Sequence, residues 1–512
     1  MKKFIAALSG SGLMFLLSVI AQAGSATWDL NPASGDWNTA ANWTPMAVPN
    51  GSPDTATFAL SNTTNVSISA NTVVNGITFN SAATNAYGII VSSGFTLTLS
   101  GSGITNNSGI AQNFVNNEGQ ISFTSNATAG STNIFTTGLG VTQFFNSSTA
   151  GSATITNDFG ITQFFDSSTA GSATISSTDV GNISFFGRST AGSANIASGA
   201  EIDFQDSSSA GSATIQSGSG EIVFTGSSKG GTAAIVLFMT GLPTPPSLDI
   251  SLHNAPGVTI GSVEGDADSI VFLGANNLTV GSNNSSTTFS GVIQDGGLFG
   301  GGTGGSLTKI GSGTLDLTGV NTYTGNTNIN GGVLKVDGSI TSNTFVNHGG
   351  TLAGTGTVNG NVTNGFGGTV RPGDAPGTLT VNSYAQMSGG TLLIDIAGTS
   401  TGQFSVLNVL GNANLNGLLH PVLLNGFTPT VGESFTFLDY ASLAGAFSGI
   451  QNQVFDNGME RWVVTYQPTD AVLTATKNVP DGGSTLLLLT LSFLGLVTYR
   501  QKCCEPHTFG AA

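Results

Sequence analysis

The stretch Phe144 to Ile155, FFNSSTAGSATI, returns as FFDSSTAGSATI at Phe164 to Ile175 and as FFGRSTAGSANI at Phe185 to Ile196. Aligned on these copies, three columns run through residues 119–236. One is Phe123, Phe144, Phe164, Phe185, Phe204 and Phe224; another is Ile134, Ile155, Ile175, Ile196, Ile215 and Ile235. The third is Ile121, Thr142, Thr162, Ile183, Ile202 and Ile222, and the steps are 21, 20, 21, 19 and 20 residues. Within each unit, runs such as Glu201-Ile202-Asp203-Phe204-Gln205 alternate polar and apolar, the period of a strand with one buried face. Gly130, Gly151, Gly171, Gly192, Gly211 and Gly231 recur at one phase, as corners require. A unit this short cannot bury its own apolar face, but stacked on its neighbours it can. The expected fold is all-β, a parallel β-helix with Phe above Phe and Ile above Ile at ~4.8 Å. A propeller would need blades of about 40 residues.

Composition agrees with strands and tight turns. Only 7% of the 512 residues are charged and 74 are glycine, so the helix-forming Glu, Lys and Arg are scarce. Between Gly24 and Asn478 there are 25 acidic residues against seven basic ones, a balance that excludes nucleic acid as a partner. Cys503 and Cys504 are the only cysteines, so no disulfide is expected in the mature protein.

Both ends read as targeting segments. Lys2 and Lys3 precede an apolar run, Phe4 to Ile20, that ends at Ala21-Gln22-Ala23, which predicts export with cleavage after Ala23 and not a permanent anchor. At the other end Val479-Pro480-Asp481-Gly482-Gly483 is followed by an apolar stretch, Leu486 to Val497, and by Arg500 and Lys502. That stretch is shorter than the ~20 residues that span a bilayer comfortably. The order of motif, apolar run and basic stop resembles the PEP-CTERM sorting signals of Gram-negative bacteria, in the variant whose motif reads VPDSG. The resemblance implies export machinery and an exosortase-like processing enzyme as partners, membrane insertion before processing, and delivery to the cell surface, outer envelope or extracellular matrix. Here ten residues, Cys503 to Ala512, follow the basic stop, where such tails usually end almost at once.

Farther along, Thr308-Lys309, Gly313-Thr314-Leu315, Asn321-Thr322-Tyr323-Thr324-Gly325 and Gly332-Val333-Leu334 occur in the order of the autotransporter-associated β-strand repeat, also called the passenger-associated transport repeat. The segment Leu307 to Asn343 resembles that family tightly and the chain to about Ser448 more loosely. The resemblance implies a right-handed β-helix outside the cell. Autotransporters follow such a passenger with a membrane barrel, for which no room precedes Val479, so other export machinery is expected. The organisation is then a signal peptide (1–23), an N-terminal β region and cap (24–118), 20-residue repeats (119–236), further coils with a Gly-rich linker (237–306), the passenger-repeat region (307–395), a C-terminal β region (396–477), the sorting segment with a short hydrophobic helix (478–502) and a tail (503–512).

Few residues suggest chemistry. Glu264, Asp266 and Asp268 in EGDAD alternate as calcium ligands can, but the closing glutamate of an EF-hand loop is missing, and turn acids are the plainer reading. Gly300 to Gly305 lacks the Lys-Ser/Thr pair of a phosphate loop and reads as linker. The nucleophile-elbow pattern occurs at Gly226 to Gly230 and at Gly398 to Gly402, neither before a helix, while His253, His348 and His420 lie far apart. Arg188, Lys229, Lys309, Lys335, Arg371, Arg461 and Lys477 stand singly; only Asp166, Arg188 and Asp206 fall in phase on successive coils, which predicts a surface ion pair. Trp28, Trp37 and Trp43 could stack on sugar, but a first coil needs covering, and a hydrophobic plug is the expected role. No cofactor, metal or catalytic residue is expected. The reading is a non-enzymatic surface or matrix protein, structural or adhesive, whose Ser, Thr and Asn ladders present hydrogen-bonding groups to polysaccharide. Its rival is a β-helical polysaccharide lyase or glycoside hydrolase, which would need carboxylates gathered on one face.

Overall fold

The computed structural model of the chain describes residues 24–479 apart from Asp179, Thr240, Leu242, Pro243 and Phe299. The expected signal peptide, the expected C-terminal helix and the sorting residues Pro480 to Gly483 lie outside the described residues; Val479 is described and exposed. Helix among the described residues amounts to two single 3-10 turns, Ala40–Asn42 and Asp456–Gly458. The chain divides into two compact units, residues 1–307 and 308–512, each a parallel β-solenoid.

In the first unit, alternate strands of the chain build two parallel ladders. One includes Gly51–Phe58, Thr72–Phe79, Thr96–Asn106, Gln120–Phe123, Val141–Phe144, Ile161–Phe164 and Ile183–Phe185. The other includes Asn113–Asn117, Asn133–Thr137, Thr154–Asp158, Thr174–Ser177 and Asn195–Ser198. Between them single bridges join Thr128, Thr149, Thr169, Thr190, Ser209 and Lys229 in a third track. Register is residue on residue: Phe144 lies beside Phe164 and Ile155 beside Ile175. From Phe123 to Phe224 the inward phenylalanines are fully buried, with ring centroids 4.7–4.8 Å apart and planes within 10° of parallel. The corner needs glycine, as at Gly171: its φ is +63°, and a Cβ there would lie 2.6 Å from the carbonyl oxygen of Gly151 on the coil before.

The polar turn after each inward phenylalanine works differently. Ser125, Asn146, Asp166 and Asp206 all sit at φ 56°. Three of these side chains reach back one coil: Asn146 Oδ1 accepts from the amide of Ser125 (3.0 Å), Asp166 Oδ2 from that of Asn146 (2.9 Å) and Asp206 Oδ2 from that of Gly187 (3.0 Å). Asn and Asp tolerate this backbone and supply an acceptor for an otherwise unpaired donor. The ion pair expected at Asp166, Arg188 and Asp206 is therefore absent. The carboxylates are aimed along the stack at backbone amides, and no ion pair joins Arg188 to either of them.

Trp28, Trp37 and Trp43 close the N-terminal end of this unit. All are buried, Trp43 lies edge-on to both others at 5.0 Å, and Phe58 packs beneath at 5.6 Å from Trp37 and Trp43. Each indole N–H donates to a backbone carbonyl, of Thr63, Pro49 and Trp37 respectively. No ring face is open, so these residues form the plug and offer no sugar platform.

In the second unit one ladder runs through Thr314–Leu317, Gly332–Val336, Gly350–Gly354, Thr369–Pro372, Thr391–Ile396 and Leu418–Leu423. It stacks Leu315, Leu334, Leu352, Val370, Leu392 and Leu419 in the core. The other runs through Thr327–Ile329, Thr344–Val346, Thr357–Asn364, Thr378–Gln386, Val406–Leu415 and Ser434–Gly445. There the chain reverses: Asp470–Lys477 joins Ser434–Gly445 antiparallel, Glu460–Tyr466 joins Asp470–Lys477, and Val454–Phe455 covers part of the last edge. Trp462 closes this end, 4.5 Å from Phe455 and 5.9 Å from Phe435.

Candidate functional site

The nucleophile-elbow patterns do not assemble a triad. Ser228 is buried with its hydroxyl unpartnered, and the structure brings His253 to it, a juxtaposition the sequence does not signal. Yet the ring nitrogens of His253 face the carbonyl oxygens of Asn254 (2.6 Å) and Ser228 (2.7 Å), so neither is placed to take the hydroxyl proton. His348 packs on Phe366, and His420 meets Asn452 at 3.0 Å. In EGDAD, Asp266 accepts from the amides of Met239 and Asp268 and from Ser269, and among the described residues no three His, Cys, Asp or Glu converge as metal ligands do. In the Gly-rich segment the amides of Gly304 and Gly305 donate to Asp295 (3.1 and 3.0 Å), a tether and not a phosphate cradle.

Two charge clusters form that sequence spacing does not reveal. Lys335 does not stand singly: its ammonium touches Asp316 at 3.1 Å, Asp337 at 2.5 Å and Asp374 at 2.9 Å. Partial burial opposes its charge, but the three carboxylates prevail and hold its pKa above the ordinary lysine range. An amine held charged in this way cannot serve as the base of a lyase. Arg371 likewise pairs with the fully buried Asp395 at 2.7 and 3.2 Å.

The second cluster lies on the outward side of the first unit. Asp203, Val223 and Asp249 are in register on three coils, with Glu201 and Glu221 beside them. Desolvation first, then the nearby Glu201, pushes the Asp203 carboxyl up to about 7. Desolvation, then Asp249, Glu201 and Asp203, pushes that of Glu221 up to about 8. Glu221 borders a cavity of about 230 Å³ whose other walls include Pro245, Ile270, Phe272 and Leu298.

On the strands that precede this cluster the outward side carries glutamines where the cluster has carboxylates, with Glu118, Asp158 and Asp166 exposed at the adjoining turns. Gln120 donates to Gln143 at 2.6 Å and Gln143 to Gln163 at 2.9 Å, an amide ladder running across the coils. On one side of it Phe145, Phe165 and Phe186 stack at 4.9 and 5.0 Å, half-buried. On the other, Leu139, Phe159 and Val180 stand 83%, 59% and 55% exposed at successive corners, next to half-buried Val141 and Ile161. The doublet FF is the signal for this surface: its first ring faces the core and its second faces out. Attention to the inward column alone misses it.

The passenger-associated-transport repeat model matches residues 307–336, and the VPDSG-CTERM motif model matches residues 478–502. An extracellular serine protease of Serratia marcescens is 51% identical over 77 residues, which make up 15% of this chain and 7% of that protein. The adhesin BmaC autotransporter of Brucella suis biovar 1 (strain 1330) is 40% identical over 111 residues, 20% of this chain and 3% of that protein. A further Serratia marcescens extracellular serine protease is 50% identical over 54 residues, 10% of this chain and 5% of that protein. The chain spans less than a tenth of each of these relatives. Together the sorting motif, the repeat and the autotransporter relative mark it as an exported cell-surface β-helix protein handled by sorting machinery.

Proposed function

We propose that this chain is a non-enzymatic, adhesive component of the cell surface that holds neutral polysaccharide on the outward side of coils 139–186. The observation that carries this reading is the glutamine ladder between two apolar columns. Side-chain amides exchange hydrogen bonds with sugar hydroxyls, and the flanking rings and aliphatic groups cover the sugar C–H surfaces. Each contact is weak, but the ladder repeats at the coil spacing, so contacts along one polymer add through high effective concentration. The likeness to the BmaC autotransporter, which is named an adhesin, supports the reading. Retention of the mature chain on immobilised neutral polysaccharides tests it. The double variant Gln143→Ala, Gln163→Ala should lose binding at least about tenfold, each lost cooperative contact being worth about 1 kcal/mol; unchanged retention overturns the reading.

The residues Val479, Pro480, Asp481, Gly482 and Gly483 serve in this account as the recognition stretch of a membrane processing enzyme of the exosortase kind. Intact mass of the surface fraction tests that role, since a processed chain lacks Cys503 and Cys504 while an anchored one still ends at Ala512. A second reading, glycoside hydrolysis, is favoured by the raised carboxyls of Asp203 and Glu221 beside a cavity. Release of reducing sugar that Glu221→Gln abolishes would establish it.

A further inference from the structure

The C-terminal cap ends in an incompletely covered strand. In Glu460–Tyr466 the odd-numbered residues face Asp470–Lys477: the amide of Asn478 donates to Met459 and that of Gln467 to Asp470, which fixes the alternation. The even-numbered residues therefore face the outer edge. Glu460 pairs there with Phe455, and the Trp462 amide donates to Gln453 at 2.8 Å. Two residues before Gln453 the covering chain leaves the edge, since the Gln451 amide donates to Leu419. Among the described residues nothing pairs with the outward N–H and C=O groups of Val464 and Tyr466, on a strand whose last four residues, Val463 to Tyr466, read VVTY. These are strand-forming side chains with no charge, proline or glycine among them, although natural sheets guard such edges with those residues.

We propose that Val464 to Tyr466 pairs antiparallel with the same three residues of a second copy of this chain, joining two caps across a two-fold axis at Thr465. The stretch is self-complementary: with Thr465 on the axis, Val464 lies opposite Tyr466 of the second copy, and each pair exchanges both N–H···O=C bonds. The length fits as well. Gln467-Pro468 turns the second strand away where Gln453 and Val454 begin to occupy the edge. A foreign strand could use the same donors and acceptors, but the second copy's own strand ends at Gln467-Pro468, where Gln453 takes up the edge at Trp462, and this fit in length favours the second copy.

Sedimentation velocity of the full mature chain over about a hundredfold range of concentration tests this, read together with hydrogen exchange at the Val464 and Tyr466 amides. The expected result is a monomer–dimer equilibrium in which both amides slow as dimer forms. Thr465→Lys places two like charges opposite each other on the axis and should weaken the dimer at least about tenfold while leaving the monomer folded. Val464→Pro removes one of the donors and should abolish pairing; near-ultraviolet circular dichroism distinguishes this from a misfolded cap. A chain that stays monomeric with fast exchange at both amides overturns the proposal and leaves the edge to a foreign strand. A dimer that Thr465→Lys leaves intact, or one whose Val464 and Tyr466 amides remain fast, overturns it in favour of another surface.

Discussion

Phe144 and Phe164 stand 20 residues apart in the chain, yet their rings stack at 4.7 Å with planes 7° apart. Repetition along the sequence has become adjacency in space, so each ring has a like ring above and below it. Phe164→Ala removes one member of this pile without removing the coil that holds it. The neighbours at Phe144 and Phe185 are fixed by their own strands and cannot close the gap. We expect a loss of about 3 kcal/mol or more, read by denaturant unfolding. Deleting the whole coil from Phe144 to Gln163 should cost less, because Phe123 can then stack on Phe164 in the same register. A deletion far more damaging than the point change would contradict that stacking account.

Another column behaves in the opposite way. Ser148, Ser168, Ser189, Ser208 and Ser228 are buried one above another, and none of their hydroxyls has a hydrogen-bond partner. The first coil carries Ala127 at this position. Burying an unpaired hydroxyl costs about 1–3 kcal/mol, whereas a methyl group there costs nothing. Ser168→Ala should therefore leave the midpoint of thermal unfolding unchanged or raise it, and a clear drop would reveal a bond that the static geometry lacks.

The acidic side of the first unit predicts how stability responds to pH. The Glu221 carboxyl is raised to about 8 in the fold, so the folded state holds its proton more tightly than the unfolded chain does. Stability from this group is complete below the ordinary glutamate value of about 4.3 and is lost as pH rises from there to about 8. The Asp203 carboxyl, raised to about 7, acts in the same direction over a slightly narrower window. Glu221→Gln should then stabilise the protein at pH 8 by about 1 kcal/mol, after allowance for solvent screening, and have little effect at pH 4. Unfolding curves at the two values decide it.

The coil was legible because its signals are local and repeated: inward Phe and Ile at a step near 20, and glycine at one phase. The charge clusters were not, because they depend on which coil lies beside which. Asp316 meets Lys335 through ladder register, while Asp374 reaches Lys335 from two coils farther along, past Ala353, on the turn that begins at Gly373. The spacing between register partners also shortens in this region, from 19 residues between Asp316 and Lys335 to 18 between Lys335 and Ala353, so phase counted from the earlier repeats drifts. Asp166 and Arg188 were misread for a different reason. Phase does place them on neighbouring coils, but the left-handed turn at Asp166 directs its carboxylate to an amide and away from the guanidinium.

Lys309 gives the sharpest test of a buried charge. It belongs to the segment that matches the passenger repeat, is 1% exposed, and forms no ion pair among the described residues; its ammonium donates to the carbonyls of Ile310 at 2.7 Å and Gly331 at 3.4 Å. Desolvation brings its pKa down to about 8. The unfolded chain therefore binds this proton more tightly than the fold does. Below pH 8 both states are protonated and the fold carries the full penalty; between about 8 and the ordinary lysine value of about 10.4 the fold sheds its proton first and stability rises. Lys309→Met keeps the length and most of the volume while removing the charge. The two carbonyls it frees belong to half-buried residues that water can reach, so their loss offsets only part of the gain. We expect stabilisation of roughly 1–2 kcal/mol at pH 7, shrinking toward zero near pH 10, and the difference between the two proteins' stability–pH curves isolates Lys309 from the tyrosines that titrate in the same range. A variant less stable than the parent at pH 7, with a curve of the same slope, would mean that the carbonyl contacts outweigh the desolvated charge.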